Sequence, residues 1–343
     1  MKKRSLLRVA AASSALLVLG LLLLYSLFLR PNILVNKPGK QLNIPHGISF
    51  KHLKATLQQE GYLSSVTSFS LLARLMYYDR RIIPGAYQLK SNMSNWQALR
   101  LLRAGVQQPV KIVLHNVDNK TTLATKITQR LEISAAVFQK LLEDPAFVHQ
   151  YGFNLENVLT MFIPNTYEVY WTISPERLFA RMYKEYKHFW NERRLSQAKR
   201  LKLTPVEVSI LASIVQKETN KLEEAPLIAG VYINRLRKKI ALRSCTTLLH
   251  ILGDPSARRV LHKYKAIDSP YNTYKYRGLP PGPISLPSIA MIDAVLSFTT
   301  HNYFYFSAKE DFSGYHYFTR SFQEHLRNAR RYQKALNQAR IYR

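Results

Sequence analysis

The pattern of hydrophobic positions begins with one long uncharged run, from Val9 to Leu29. At 1.5 Å per residue this run measures roughly 30 Å, the thickness of the hydrocarbon core of a bilayer. Only Arg30 follows the run closely, whereas a basic cluster precedes it: Lys2, Lys3, Arg4 and Arg8. Because positive flanks stay on the cytoplasmic side, we predict a cytoplasmic tail over residues 1–8, a transmembrane helix over 9–29 and export of the rest.

A cleaved signal peptide is the alternative for the same run. The run ends in Tyr25–Leu29, which lacks the small-x-small pattern that signal peptidase recognises. The single cysteine, Cys245, lies far from this segment, so a lipoprotein anchor is excluded and no disulfide can form within the chain. We therefore expect a retained anchor and an exported part that is stabilised by packing.

Residues 30–40 contain Pro31 and Pro38 and predict a linker, and residues 41–115 then alternate between strand-like and helical patterns. The predicted strand–helix–helix–strand–helix order is marked by Ile44, Ser49–Leu57, Phe69–Met76, Gly85–Tyr87 and Met93–Gly105. A small β-α-α-β unit of this kind resembles the LysM fold, a glycan-binding module. A structural spacer without a ligand is the open alternative.

Residues 116–343 predict a second, larger domain of mixed helices and strands. Helical patterns cover residues 122–142 and 145–153, and Pro175–Arg200 predicts one long basic helix. Tyr303–Phe306 predicts a strand, and a basic helix follows from Ser321. The predicted class is therefore α+β, with an N-terminal transmembrane helix, a LysM-like subdomain and a C-terminal α+β domain.

One helix of this domain carries a candidate acid. Thr204 and Pro205 predict its start, because threonine is a favoured N-cap and proline is favoured at the first helical position. Glu218 continues the apolar stripe of this helix, which consists of Val208, Leu211, Ile214 and Val215. Desolvation and the negative helix end both disfavour a carboxylate anion there, which suits a general acid. The alternative is a glutamate on a frayed last turn that reaches solvent.

The net charge of the chain indicates what kind of partner it has. The chain has 50 Lys+Arg against 21 Asp+Glu, a formal net charge of +29. Such a surface favours a polyanion or an anionic membrane as its neighbour. Because the charged part is predicted to be exported, we do not expect nucleic acid to be the partner.

Two stretches are rich in side chains that bind sugars, Val231–Leu236 and Ser269–Tyr274. Tyrosine rings stack on pyranose rings, whereas Asn, Thr and Arg form hydrogen bonds to hydroxyl and N-acetyl groups. The glycines of the loop Gly278–Ile284 allow a ligand to approach the backbone. Ordinary turns and core aromatic residues remain the alternative for each stretch. The histidines lack metal-ligand spacing, so no metal site is predicted.

Four segments, taken in order, resemble the YceG-like endolytic murein transglycosylases: Ile210–Thr219, Asn234–Leu236, Tyr271–Tyr274 with Gly278–Gly282, and Gly314–Phe318. The resemblance implies a lyase of the cell inner membrane with a periplasmic catalytic domain at residues 116–343. Members cleave the β-1,4 bond between N-acetylmuramic acid and N-acetylglucosamine within nascent peptidoglycan strands and leave a 1,6-anhydro end. The resemblance also implies that no cofactor is needed and that penicillin-binding wall synthases are partners.

The resemblance further assigns roles to residues of this chain. Glu218 matches the catalytic glutamate, which acts first as acid and then as base. Substrate binding is expected of the residues in the other motifs: Asn234, Arg235, Thr247, Tyr271, Asn272, Thr273, Tyr274, Gly278, Gly282 and His316.

Two departures from the family pattern bear on activity. Gln216 stands where members often have an earlier glutamate, which leaves Glu218 as the acid. Cys245 stands where an aspartate is usual. The loss of that aspartate favours an alternative function, a catalytically impaired, membrane-anchored protein that binds peptidoglycan or serves as a scaffold for wall synthesis.

Overall fold

The computed structural model describes residues 2–36, 39–253 and 262–341 of the chain. Lys37 and Pro38 of the predicted linker lie outside the described residues, as do Met1 of the predicted tail and the two C-terminal residues. The chain divides into two compact units. The first comprises residues 1–111, 130–133 and 168–173, and the second comprises residues 112–129, 134–167 and 174–343.

The first unit begins with the apolar helix. Helix α1 covers Lys2–Leu24, and a π-helical turn over Tyr25–Leu29 continues it. Within it, Ala10–Leu29 is long and apolar enough to cross a membrane, which fits a single-pass membrane anchor. This span lies within the run of residues 9–29 noted in the sequence.

A β-α-α-β arrangement follows the anchor. Strands β1 and β2 pair antiparallel from Lys40 with Leu89 to Ile44 with Gly85. The elements are β1 (Lys40–Ile44), α2 (Phe50–Gln59), α3 (Val66–Leu75), β2 (Gly85–Leu89) and α4 (Asn95–Ala104). Serine side chains cap all three helices, at Ser49, Ser65 and Ser94. The element order agrees with the prediction, while the LysM-like identity of the unit stays a prediction.

One sequence prediction is wrong in the following part of the chain. Pro175–Arg200 does not form a single helix, because α8 ends at Phe189 and α9 begins at Glu192. Trp190 leaves the helical conformation, and the Asn191 side chain accepts a hydrogen bond from the Arg194 N–H as the N-cap of α9. The elements here are β3 (Val110–Val113), α5 (Lys120–Thr128), α6 (Ala135–Glu143), α7 (Pro145–His149), β4 (Thr166–Val169), α8 (Pro175–Phe189) and α9 (Glu192–Leu201). Strand β3 pairs with β4.

Helix α10, Pro205–Glu218, is the central element of the second unit. Thr204 forms a capping box with Glu207 at its start. Every residue from Val208 to Val215 is buried, more than the one stripe expected, because other helices pack around it. The remaining elements are α11 (Ala225–Arg237), α12 (Cys245–Leu252), α13 (Ile289–Leu296), β5 (Tyr305–Ala308), β6 (His316–Thr319) and α14 (Phe322–Gln338). Strands β5 and β6 form an antiparallel hairpin.

Candidate active site

Glu218 is the last residue of α10, and its side chain is half-buried. The helix ends there because Thr219 adopts an extended conformation, with only its N–H bonded back to Val215 O. A carboxylate therefore lies where a buried helix reaches accessible space.

Three hydroxyl groups hold one oxygen of this carboxylate. Tyr232 Oη donates to Glu218 Oε1 at 2.9 Å, Ser244 Oγ at 2.5 Å and Thr246 Oγ1 at 3.3 Å. Among the described residues, no hydrogen bond reaches Oε2. The surroundings are thus more polar than the apolar face expected from the sequence, and they leave one carboxylate oxygen available to a ligand.

Ser244 is held in place by the threonines of two predicted motifs. The Ser244 N–H donates to Thr273 Oγ1 at 3.0 Å. Thr247 Oγ1 donates to Ser244 O at 2.9 Å and lies 2.9 Å from Thr273 Oγ1. Both threonines are buried. Ser244 stands at the N-cap of α12 without capping it, since its hydroxyl is directed to Glu218 instead.

Tyr232 approaches the carboxylate from α11. Burial raises the pKa of Tyr232, and the nearby charge of Glu218 raises it further. The phenol is therefore neutral and available as a donor. Its ring packs edge-on against Phe306 of β5, with the ring centroids 5.7 Å apart.

Cys245 and Tyr274 contact each other beside the hydroxyl groups that surround Glu218. Cys245 Sγ lies 3.0 Å from the Tyr274 hydroxyl, and the cysteine as a residue is exposed. Desolvation of the sulfur by neighbouring atoms raises the pKa of the Cys245 thiol, the Tyr274 contact lowers it, and the charge of Glu218 raises it. Desolvation likewise raises the pKa of Tyr274. A neutral thiol and a neutral phenol therefore border the carboxylate.

Three predicted substrate-binding residues donate side-chain hydrogen bonds to backbone carbonyl groups of other residues. Asn234 Nδ2 donates to the carbonyls of His301 and Tyr303 at 2.8 and 3.1 Å. Buried Arg235 donates from Nε to Phe304 O at 2.6 Å and from Nη1 to Leu242 O at 2.5 Å. Asn272 Nδ2 donates to the carbonyls of two further residues: Lys265 and Ile267. These bonds shape the loops around the site, and contact with a substrate stays a prediction.

The loop Gly278–Ile284 packs tightly at Gly282. A Cβ atom added to Gly282 would lie 2.0 Å from Glu156 O and 2.6 Å from Tyr271 Oη, so no side chain fits there. Gly278 has a φ of +91°, which favours glycine, and it borders open space. Gly282 thus packs against the predicted site residue Tyr271, whereas Gly278 leaves the loop surface free.

His316 is bonded to a glutamate that the sequence analysis did not single out. Its Nδ1 lies 2.9 Å from Glu224 Oε2, and its N–H donates to Oε1 at 3.0 Å. Both side chains are buried. The His316 ring also packs edge-on against Phe306, with the centroids 5.4 Å apart. His316 therefore links β6 to the segment after α10 and supports the ring that Tyr232 touches.

Ser244 and Thr246, which flank Cys245, were not predicted from the sequence as site residues. Their position beside the motif departure at Cys245 was the one available signal, and Tyr232 lay inside a stretch noted only for its sugar-binding composition. The described residues contain no group of three or more His, Cys, Asp or Glu side chains that could hold a metal ion.

Comparison with known proteins gives consistent matches. The YceG-like family profile matches residues 42–331. An endolytic murein transglycosylase from Bacillus subtilis strain 168 is 27% identical over 319 residues, covering 88% of this chain and 87% of the relative. The crystal structure of a YceG-like protein from Listeria monocytogenes matches with a TM-score of 0.57 and 26% identity, covering 85% of this chain and 99% of that one.

A further relative is longer than this chain. An endolytic murein transglycosylase from Streptococcus pneumoniae strain D39 is 29% identical over 321 residues, which cover 84% of this chain but 57% of the relative. This chain thus spans little more than half the length of the streptococcal protein. Because the family profile covers most of the residues described above, the chain belongs to the YceG-like family.

Proposed function

We propose that this protein is an endolytic peptidoglycan lytic transglycosylase that cleaves the MurNAc-β-1,4-GlcNAc bond and forms 1,6-anhydro-MurNAc ends. The observation that carries the proposal is the geometry of Glu218, with three hydroxyl donors on Oε1 and none from the described residues on Oε2. The relatives from Streptococcus pneumoniae and Bacillus subtilis are named endolytic murein transglycosylases, which supports the same reaction class.

The asymmetry of the carboxyl group suits a proton shuttle. With Oε1 occupied by three donors, the proton of the acid form resides on Oε2, which has no hydrogen-bond partner among the described residues. Oε2 first gives this proton to the glycosidic oxygen as the bond to the muramyl C1 breaks. The muramyl 6-hydroxyl then attacks C1, and Oε2 takes up the proton that this hydroxyl releases.

A single carboxylate is sufficient for this reaction. Glycosidases that use water normally need two carboxyl groups, one as acid and one as base or nucleophile. The 6-hydroxyl is already tethered to the reacting sugar, and such proximity lowers the barrier by up to about 7–11 kcal/mol. Glu218 is the carboxylate whose charge acts on Tyr232, Cys245 and Tyr274.

The proposal includes the cellular setting. We place the N-terminus in the cytoplasm, the apolar helix in the inner membrane and the second unit in the periplasm. Nascent glycan strands are then within reach, and penicillin-binding synthases that make them are the expected partners. Glycan binding by the first unit is a separate proposal that rests on its β-α-α-β order.

Digestion of purified murein tests the reaction. The full-length protein in detergent is compared with Glu218→Gln, and the soluble products are analysed by mass spectrometry. We expect anhydromuramyl ends from the unaltered protein and no products from the variant. Reducing ends would instead identify a hydrolase.

Cys245 favours a second candidate function, a peptidoglycan-binding scaffold that has lost activity. No cleavage by either protein, together with retained sedimentation on insoluble murein, would support the scaffold. The Cys245→Asp variant separates the two candidates further. We expect it to preserve or raise activity in an enzyme, since a carboxylate there can still accept a hydrogen bond from Tyr274. A large loss would show that the site depends on the thiol.

A further inference from the structure

The end of the apolar helix is fixed directly onto the first unit. Asn95 Nδ2 donates to Leu27 O at 3.2 Å and to Ser68 Oγ at 3.1 Å. Phe28 packs against Trp96 with ring centroids 5.9 Å apart. Leu27 and Phe28 also pack against the hydrophobic core of this unit. Helices α3 and α4 therefore begin where the anchor ends, without a flexible spacer between them.

The length of the anchor fixes the depth of this junction. The span Ala10–Leu29 has 20 residues, and a helix of that length just crosses the roughly 30 Å of hydrocarbon. The span is no longer than the hydrocarbon core requires, so its last turn, Tyr25–Leu29, occupies the outer few ångströms of the bilayer. The parts of α3 and α4 that contact this turn must lie at the membrane boundary.

Apolar side chains are exposed on that side of the unit. Leu71 is 53% exposed, Leu75 58%, Tyr77 64% and Trp96 39%. Leu71 and Leu75 lie three and seven residues after Ser68, so they continue the face of α3 that Asn95 connects to the anchor. Single exposed apolar residues need no explanation, but four of them on or next to the two helices that contact the end of a membrane anchor do.

Basic side chains border the apolar group. Arg74 and Arg80 are exposed, and the Arg80 guanidinium lies over the Tyr77 ring at 5.2 Å. Within the part of the chain that the structure describes, neither arginine forms an ion pair. Aromatic rings at the headgroup level and cations beside lipid phosphates are the usual composition of a membrane-interface surface.

We propose that Leu71, Leu75, Tyr77 and Trp96, with Arg74 and Arg80 at their edge, form a second membrane contact. This interfacial surface enters the headgroup and upper acyl region of the bilayer that holds the anchor. It holds the first unit against the membrane at a second place, beside the junction with the anchor. The inference rests on the membrane anchor proposed above, not on the reaction.

Fluorescence quenching by lipids brominated near the top of the acyl chains tests this surface. The full-length chain is reconstituted in vesicles that contain anionic lipid, as three single-tryptophan forms. Trp171→Phe with Trp190→Phe leaves Trp96, and Trp96→Phe with Trp190→Phe leaves Trp171. The third form carries Leu75→Trp in a background with all three native tryptophans changed to phenylalanine. Trp190 is buried without a hydrogen-bond partner for its Nε1, so phenylalanine is a mild replacement there.

We expect brominated lipid to remove more than half of the emission of Trp96 and of the tryptophan at position 75. Trp171 belongs to the same unit but lies outside the interfacial surface, so it should lose little. Quenching of Trp96 alone would restrict membrane contact to the anchor junction and overturn the proposal. Equal quenching of all three, or of none, would also overturn it.

Two controls keep the result interpretable. Flotation of each form with the vesicles reports the anchor itself, and a chain that does not float would reject both the anchor and the surface. Leu71→Asp should relieve the quenching of the tryptophan at position 75, whereas Leu195→Asp, also at an exposed leucine, should not. Murein digestion by the same preparations reports the reaction separately.

Discussion

At the scale of single residues, the candidate acid depends on hydroxyl groups from two other segments. Tyr232 comes from α11, and Ser244 and Thr246 from the start of α12. All three donate to Oε1, so each contributes to the direction in which Oε2 points. Loss of one donor should therefore impair the chemical step more than the binding of the glycan.

Tyr232→Phe tests this dependence. A hydrogen bond to a charged group contributes about 1.5–3 kcal/mol, and each 1.4 kcal/mol or so corresponds to a tenfold change in rate. We expect kcat for murein cleavage to fall about tenfold to a hundredfold while KM stays nearly constant. Initial rates of anhydromuropeptide release measure both constants.

Tyr276→Phe is the matched control. Tyr276 Oη also donates to a carboxylate, Asp268 Oδ1 at 2.5 Å, but this pair is exposed. Loss of this hydrogen bond should leave kcat within a few-fold of the kcat of the unaltered protein. A Tyr232→Phe enzyme with unchanged kcat would show that the phenol does not position Glu218.

The thiol beside the acid gives a pH-dependent prediction. Desolvation and the charge of Glu218 raise the pKa of Cys245, so less thiolate exists at a given pH than in a free cysteine. Since thiolate is the reactive form, alkylation by iodoacetamide near pH 8 should be slower in the folded chain than in the urea-unfolded chain. The difference should diminish as pH rises through the raised pKa.

The Glu218→Gln variant tests whether the charge of Glu218, and not the accessibility of the thiol, slows the alkylation of Cys245. Without the carboxylate, the pKa of Cys245 should fall and alkylation at the same pH should become faster. Cys245 is the single cysteine of the chain, so intact mass reports its modification directly. Equal rates in the variant and the unaltered protein would exclude an electrostatic effect of Glu218 on the thiol.

At the scale of elements, the parts that could be predicted are those fixed by local sequence. Ser49, Thr204 and Ser321 were expected near helix starts, and each caps the helix that follows it. The break between α8 and α9 was missed because helix-favouring residues lie on both sides of it. Asn191 followed by Glu192 is a valid helix-start signal, and it was outweighed by that composition.

Contacts between distant elements could not be predicted. Ser244 and Glu218 are 26 residues apart, and His316 and Glu224 are 92 apart. Their meeting depends on how α12 and the β5–β6 hairpin pack against α10 and α11, which no local pattern specifies. The motifs located the catalytic candidate, whereas the hydroxyl groups around it required the fold.

The His316–Glu224 pair gives the prediction at this scale. His316→Ala removes the partner of a buried carboxylate, which loses its Nδ1 contact but keeps the bond from the backbone N–H. We expect the free energy of unfolding to fall by about 1–3 kcal/mol, measured by urea denaturation in detergent. Activity should fall as well, because the hairpin carries Phe306 against Tyr232.

His46→Ala serves as the control, since His46 Nδ1 contacts Glu132 Oε2 at 2.6 Å with its side chain 63% exposed. Loss of an exposed pair should cost less than about 1 kcal/mol. Equal destabilisation by both substitutions would mean that burial does not strengthen the His316–Glu224 link.

At the scale of the whole molecule, the net charge of +29 and the interfacial surface favour the same setting. A cationic protein is attracted to anionic lipid headgroups and to the carboxylates of peptidoglycan stem peptides. We expect the tyrosines around Glu218, by contrast, to contact uncharged groups of the sugars. Long-range attraction and recognition at the site should therefore respond differently to salt.

Binding of the Glu218→Gln variant to insoluble murein separates the two contributions without cleavage. When salt rises from about 0.1 M to about 1 M, the Debye length falls from about 10 Å to about 3 Å, so attraction between exposed charges is largely removed. We expect the apparent Kd from co-sedimentation to increase several-fold over this range. Adding Tyr274→Ala to the variant should weaken binding by a similar factor at every salt concentration, because that ring acts by contact. Salt-independent binding by Glu218→Gln would instead mean that the basic surface contributes nothing to holding the glycan and serves the membrane alone.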